Sequence, residues 1–335
     1  MPRMNDAMFV GLVSDMPSVQ TKDGQIVQMA VPLLVINGTR TYGEKNYETI
    51  RSVDIDSKGY DNVWVLTKDK AFIEEIKQMQ VYDLVMVKGA VRVTANRKKS
   101  ICPDCGFKHV FNSTKTTVYP IFMQRLETVG AKYGTYSEET EDAVRAERMK
   151  RLADFIEVSN IVKLIGVVCR EPELYQRDSD GKAMLTFPLA VKRKYFISED
   201  DMSINVDFPY VKLYGSKAKQ QYGILHKSNL IMIDGFLHTR EIIRRIECEQ
   251  CGNKYSKKDR VSEIVPYSVD YIRSNISDTE FERSDVAYRP QIVGSNADID
   301  LKYVAPDEKG EEGEEGEAKV ELDEKMMKIL NSMND

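Results

Sequence analysis

The feature that most constrains this chain is an internal repeat. Cys102-Pro-Asp-Cys105-Gly106 returns as Cys248-Glu-Gln-Cys251-Gly252, 146 residues on. Thirteen residues before each first cysteine stands a glycine, Gly89 and Gly235, at the same offset. Val63-Trp64-Val65-Leu66 aligns likewise with Pro209-Tyr210-Val211-Lys212. Nearer each start the offset lengthens to 155 for Phe9-Val-Gly11-Leu-Val13 against Leu164-Ile-Gly166-Val-Val168. It is 156 for Met29-Ala-Val-Pro32-Leu-Leu-Val35 against Leu185-Thr-Phe-Pro188-Leu-Ala-Val191. The drift amounts to about ten residues of surface loop, which folds tolerate. A recurring period marks duplicated structural units. The reading is two copies of one domain over 5–128 and 158–273, a connector over 129–157, and a linker with tail over 274–335.

Each copy reads as mostly strand. Alternating or β-branched runs cover 8–13, 29–36, 62–67, 84–93 and 117–123, then 161–168, 184–191, 208–214, 230–237 and 264–271. A helical segment precedes the fourth run in each, Ala71 to Met79 and Ser216 to Gly223. Five strands with a helix between the third and fourth is the layout of an OB-fold, a Greek-key barrel that often binds oligonucleotides. Another small barrel fits the same count. The expected fold class is mainly β: two tandem OB-fold barrels, a linker helix and a disordered acidic C-terminal tail. Ser137 stands as N-cap of that linker helix, with acids in its first turns and bases in its last.

Several motifs of the second copy resemble bacterial and phage single-stranded DNA-binding proteins. They are Asn160-Ile-Val-Lys-Leu-Ile-Gly166, Glu171-Pro172-Glu173-Leu174, Asp207-Phe208-Pro-Tyr-Val-Lys-Leu-Tyr214-Gly215 and Ile233-Asp-Gly235-Phe-Leu-His-Thr-Arg240. The first copy matches more faintly. The resemblance implies an OB-fold that wraps single-stranded DNA on aromatic and basic side chains, with an acidic tail that recruits replication and recombination proteins. It implies a bacterial or phage-infected cytoplasm. Family members usually carry one OB-fold and form tetramers; two copies per chain would let a homodimer supply four. The family's apolar Pro-Phe tip is replaced here by Asn331-Ser-Met-Asn-Asp335, and paired cysteine knuckles are not a general family feature.

In a strand, alternate side chains share a face. Phe208, Tyr210, Lys212 and Tyr214 therefore fall on one side, opposite Val211 and Leu213. An aromatic and basic face is what base stacking and phosphate neutralisation require. The resemblance places Phe208, Tyr214 and Tyr195 near the family's stacking positions. In the first copy the same rule groups Asn62, Trp64, Leu66 and Lys68, a groove expected to be weaker. Further cations stand in Lys192-Arg193-Lys194, in Arg97-Lys98-Lys99, and at Arg240, Arg244 and Arg245. The last two clusters belong to the hairpin between the fourth and fifth strands, a common nucleic-acid-contacting loop of OB-folds. The alternatives are a subunit interface or the linker helix for the aromatics and a solvated face for the cations.

The cysteine pairs are knuckles of the zinc-ribbon kind. Structural zinc takes four ligands in a tetrahedron, and each knuckle supplies two. Cys102, Cys105, Cys248 and Cys251 would together hold one structural Zn2+ that pins the two hairpins together. Pairing between chains, completion of the first site by His109, and metal-free turns remain alternatives. Cys169 reads as plain core.

Net charge is −5, unusual for a nucleic-acid binder. However, residues 305–335 hold eleven acids and four lysines, so the tail carries −7 and the preceding 304 residues +2. Met326, Leu330 and Met333 leave room for a short docking helix at the end of that tail. The longest apolar run, Met29 to Ile36, is 8 residues, against the roughly 20 of a membrane span. The first residues lack a signal peptide's apolar stretch. No P-loop or His-rich hydrolase pattern is present, and a metal closed by four thiolates leaves no open position for chemistry. The expected function is sequence-independent binding and protection of single-stranded DNA without catalysis. The competing reading is an adaptor whose barrels bind proteins.

Overall fold

The computed structural model describes residues 2–37, 59–129, 138–177, 181–193, 206–274 and 301–304. Period-two patterning dominates it. In β1 (Met4–Val13), Asn5, Ala7 and Phe9 point inward while Met4, Asp6 and Met8 stay half-exposed. The first half continues with β2 (Ser18–Lys22), β3 (Gln25–Ile36), β4 (Tyr60–Thr67), helix α1 (Lys70–Lys77), β5 (Leu84–Ile101) and β6 (Lys108–Glu127). β1 pairs with β3, β3 with β4, β4 runs parallel to β6, β6 pairs with β5, and β5 returns to β1. This closed five-strand ring, with one parallel pair between its third and fifth strands, is an OB barrel. Asp69 caps α1 by accepting the Ala71 and Phe72 amides, and Ile73 and Ile76 of that helix are buried in the core.

After helix α2 (Glu138–Ala153) the second half repeats the plan. Its elements are β7 (Asn160–Val168), β8 (Glu173–Arg177), β9 (Ala183–Lys192), β10 (Val206–Asp207), β11 (Tyr210–Tyr214), α3 (Gly215–Tyr222), β12 (Leu230–Glu247) and β13 (Lys254–Arg273). β14 (Leu301–Val304) adds to the edge of β8. The ladders coincide residue by residue. The parallel contact Val65↔Val118 becomes Val211↔Ile264, each partner 146 residues on. Gly89 and Gly235 occupy one bulge, where a Cβ would lie 2.1 Å from the Tyr119 carbonyl oxygen and 2.4 Å from that of Val265. Only glycine lets the ribbons cross there.

Two features depart from the sequence reading. Each copy has an additional strand, β2 or β8, hairpinned onto the next. The fourth and fifth ring strands also run on well past 84–93 and 117–123, into two-stranded arms that reach Ile101 and Lys108. The sequence places a hairpin there but not the length of its strands, because the arms are rich in charge and lack an apolar stripe; they are supported by each other.

The barrels join along β1 and β7, paired antiparallel from Met4↔Ile165 to Phe9↔Asn160. Ala7 lies opposite Val162, its own counterpart in the repeat, so a pseudo-twofold axis passes between them. One apolar core runs through both rings, from Phe9, Val31 and Val87 to Leu164, Phe187 and Ile233. α2 lays Met149 and Leu152 on the outside of the first barrel against Val10, Leu12, Ile36 and Leu84. Arg148 and Arg151 anchor it to Glu127, each at 2.5 Å. Among the described residues, no helix is long and apolar enough to cross a membrane. Ser137, the acidic tail and its terminal segment lie outside the described residues.

Candidate nucleic-acid interface and metal centre

The alternation predicted for the third ring strand holds over 210–214. Val211 and Leu213 enter the core, and Tyr214 is 43% exposed. It breaks at Phe208. Pro209 follows it between β10 and β11, and the ring tucks among Ile165, Val167, Cys169, Ala190, Val206 and Leu230. Phe208 is thus packed, at 8% exposure, instead of being offered to solvent. Tyr210 is half-buried, and burial pushes its phenol up to about 12. In the first copy Trp64 is half-buried on the outer face, with the exposed Lys115 ammonium 5.6 Å from its ring centroid.

Several of the cations expected to meet phosphate are paired with an acid inside the protein. Lys212 lies 3.1 Å from Glu263 Oε2, and Arg240 Nε donates to both Glu263 oxygens at 3.2 and 3.3 Å. The Tyr214 hydroxyl donates to the same carboxylate. Burial alone would raise the Glu263 carboxyl, yet Lys212 and Arg240 hold it below the ordinary range. Arg193 is buried in a two-pronged pair with Asp207, at 2.5 and 3.0 Å, and Lys192 beside it is buried too. Lys98 is paired with Asp259, which also takes Arg244 at 3.0 Å. Arg97 and Lys99 stay exposed on the outer side of the first arm, and Lys68 is half-buried. Lys194 and Tyr195 lie outside the described residues. The structure therefore leaves Arg97, Lys99 and Tyr214 exposed and Trp64, Lys68 and Tyr210 half-buried, holds the half-buried Lys98 and Arg240 in ion pairs, and buries Phe208, Lys192, Arg193 and Lys212.

Four polar residues to which the motif reading gave no role fix strands within and between the copies. Asn5 brackets the backbone of Val91, donating to its carbonyl and accepting from its amide, both at 2.8 Å. Asn160 does the same to Leu237 at 2.9 and 3.0 Å. Asp61 reaches into the other copy, accepting the Thr239 amide at 2.7 Å and meeting His238 Nδ1 at 2.9 Å. Reciprocally, Asp207 accepts the Val93 amide at 2.8 Å. The available signal was identity at equivalent repeat positions: Asn at 5 and 160, Asp at 61 and 207.

The arms cross beyond this point. Arg244 stacks over Phe111 at 4.6 Å, Lys257 Nζ donates to the Lys99 carbonyl at 2.6 Å, and the Tyr255 hydroxyl meets Ser100 Oγ at 3.2 Å. At the tips the four knuckle thiols converge. Cys102 Sγ is 3.7 Å from Cys251 Sγ and Cys105 Sγ is 3.5 Å from Cys248 Sγ; all four lie within 4.8 Å of one another. Each knuckle closes by a Gly amide returning to the first Cys carbonyl, at 3.0 Å for Gly106 and 2.8 Å for Gly252. Both glycines have positive φ, 73° and 71°. A tetrahedron of thiolates around zinc at about 2.3 Å has edges of about 3.8 Å, close to the two cross-knuckle separations, so the donor set suits a metal ion. Against the desolvation of its site, the Cys251 and Gln250 amides and His109 hold the Cys248 thiol down to about 6, ready to ligate as thiolate. The Asn253 amide favours the Cys251 thiolate, but burial and the neighbouring thiols push it up to about 12. A second ionisation beside an existing thiolate is disfavoured, and a divalent cation offsets that cost. His109 stands beside the cluster, edge-on to Phe107 at 4.8 Å, and is not one of the four.

Comparison with known proteins bears on the second copy. Residues 159–264 match the sequence model of the Single-strand binding protein family. The Single-stranded DNA-binding protein of Clostridium tetani (strain Massachusetts / E88) is 37% identical over 81 residues, 24% of this chain and 54% of the relative. The chain thus spans about half the length of that curated relative. Among solved structures, the wild-type single-stranded DNA binding protein from Thermus aquaticus is 13% identical, with a TM-score of 0.46 over 82% of this chain and 97% of that one. A deletion variant of it gives 14% identity at the same TM-score and coverage.

Proposed function

We propose, from the match of residues 159–264 to the Single-strand binding protein family, that this chain binds single-stranded DNA without sequence preference and without catalysing a reaction on it. The observation that carries the reading is an open aromatic and cationic platform on the outer wall of an OB barrel. Trp64 lies there with Lys115 over its ring, and Tyr214 is exposed at the equivalent wall of the second barrel. Rings stack on any base, and cations release counterions from phosphate. Lys68, Arg97, Lys99 and Tyr210 extend that surface in this reading, and Lys194 and Tyr195 would join it. The four thiolates Cys102, Cys105, Cys248 and Cys251 hold one Zn2+, which supplies rigidity between the arms. The acidic tail recruits replication and recombination proteins in the cytoplasm, and two chains pair as a homodimer.

Trp64 is the sole tryptophan, so its fluorescence reports on the platform directly. Titration with oligo-dT should quench it. Affinity should fall with salt at a slope of about −0.7 per phosphate neutralised, and duplex DNA should compete poorly. Absence of quenching together with salt-independent behaviour would favour the adaptor reading; equal affinity for RNA would widen the substrate to single strands generally.

A further inference from the structure

Glu263 has no acidic counterpart in the first copy. The equivalent position is Thr117, buried beside the Trp64 face, where Leu66, Thr94 and Lys68 replace Lys212, Arg240 and Tyr214. The second copy has instead assembled two cations and a phenol around one carboxylate that is 3% exposed. Two cations and a hydroxyl converging on a pair of anionic oxygens form the donor set that a phosphodiester would draw. Lys212, Arg240 and Glu263 together carry +1 in place of +2. The first copy shows a different arrangement, an exposed Lys115 over the half-buried Trp64 ring.

We propose that Glu263 is a built-in phosphate surrogate: it occupies the anion site of the second barrel, holds Lys212 and Arg240 away from DNA, and makes the first barrel the stronger of the two platforms. The inference rests on the single-stranded DNA reading. It reverses the expectation from composition that the aromatic-rich second groove dominates. Entry of a nucleotide phosphate into the second site requires the carboxylate to give up its cations, so affinity there is held low by an intramolecular competitor.

The test uses the full chain and oligo-dT in a salt series. Glu263→Gln keeps the shape and a hydrogen-bond acceptor but removes the charge. It should tighten binding by about fivefold per released cation near 0.1 M salt and steepen the salt slope by about 0.7 for each. Lys212→Met added to Glu263→Gln should cancel its share of the gain. Circular dichroism and thermal melting check the fold. Were Glu263→Gln not to fold, Lys212→Met alone decides: its slope and affinity should match the parent, because Lys212 is already paired. A Glu263→Gln protein that folds and binds as the parent does overturns the inference, as does a Lys212→Met protein whose slope falls. Failure of the parent itself to bind oligo-dT removes the underlying reading instead, so the two failures are distinct.

Discussion

Phe208 illustrates how one neighbour redirects a side chain. Period two assigns it to the outer face with Tyr210 and Tyr214, and the period is right for the strand. Pro209 ends that strand early, and the ring is captured by Val167, Cys169 and Leu230. Phe208→Ala should therefore act on stability, lowering it by about 3 kcal/mol as a buried ring is lost. Oligo-dT affinity of the folded variant should be unchanged. Denaturant unfolding and titration of one sample check both; an unaltered midpoint with weakened binding would restore Phe208 to the interface. The cations show the same limit. Alternation places Lys212 on its face, but Glu263, which neutralises it, sits on a different strand, and no local pattern announces a pairing across a sheet. Cysteines are legible because chemistry restricts their spacing; lysines are not, since any acid within reach can engage them.

The hairpin arms were half visible as elements. Their apolar beginnings follow the strand rule, and their polar ends do not, because what supports them is the opposing arm and not the core. The knuckles at their tips were readable, since two Cys-x-x-Cys-Gly turns at one repeat position can meet only if the repeats face each other. Metal analysis of the intact chain should return one zinc, not two. Cys102→Ser and Cys248→Ser should each reduce that to well below one equivalent, since each knuckle supplies half the tetrahedron. Chelation should lower the melting temperature of the parent and leave that of either variant unchanged. A full equivalent retained in Cys102→Ser would exclude a site shared by the two knuckles. Helix α2 was readable from its charge gradient, but its seat on Val10, Leu12 and Leu84 was not.

For the whole molecule, polar contacts within and between the barrels give a pH response on both sides. Burial lowers the His238 pKa, but the Asp61 carboxylate more than offsets it, leaving the group raised above its ordinary 6.5. A raised histidine contributes fully below about 6.5 and loses its contribution as pH rises through the folded value. Glu263, Asp259 and Glu127 are lowered by Lys212 and Arg240, by Lys98 and Arg244, and by Arg151 and Arg148 respectively, each against a desolvation cost. Depressed carboxyls contribute above their unfolded values and lose it as pH falls through the folded ones. Thermal melting should therefore peak in the mildly acidic range, decline gently above neutrality and steeply in acid. His238→Gln should flatten the alkaline decline and leave the acid limb in place. A parent whose melting temperature rises through pH 7–8 would contradict the Asp61–His238 pairing. The duplication made the two-barrel plan legible; the reciprocal Asp61 and Asp207 contacts needed coordinates, because each joins residues more than a hundred positions apart.

The seam along β1 and β7 has one more effect. Its two halves are tethered by the polypeptide itself, so each always sees the other at a high effective concentration. Dilution cannot part them as it parts subunits held only by association, and a lone chain at trace abundance still presents both barrels in fixed register.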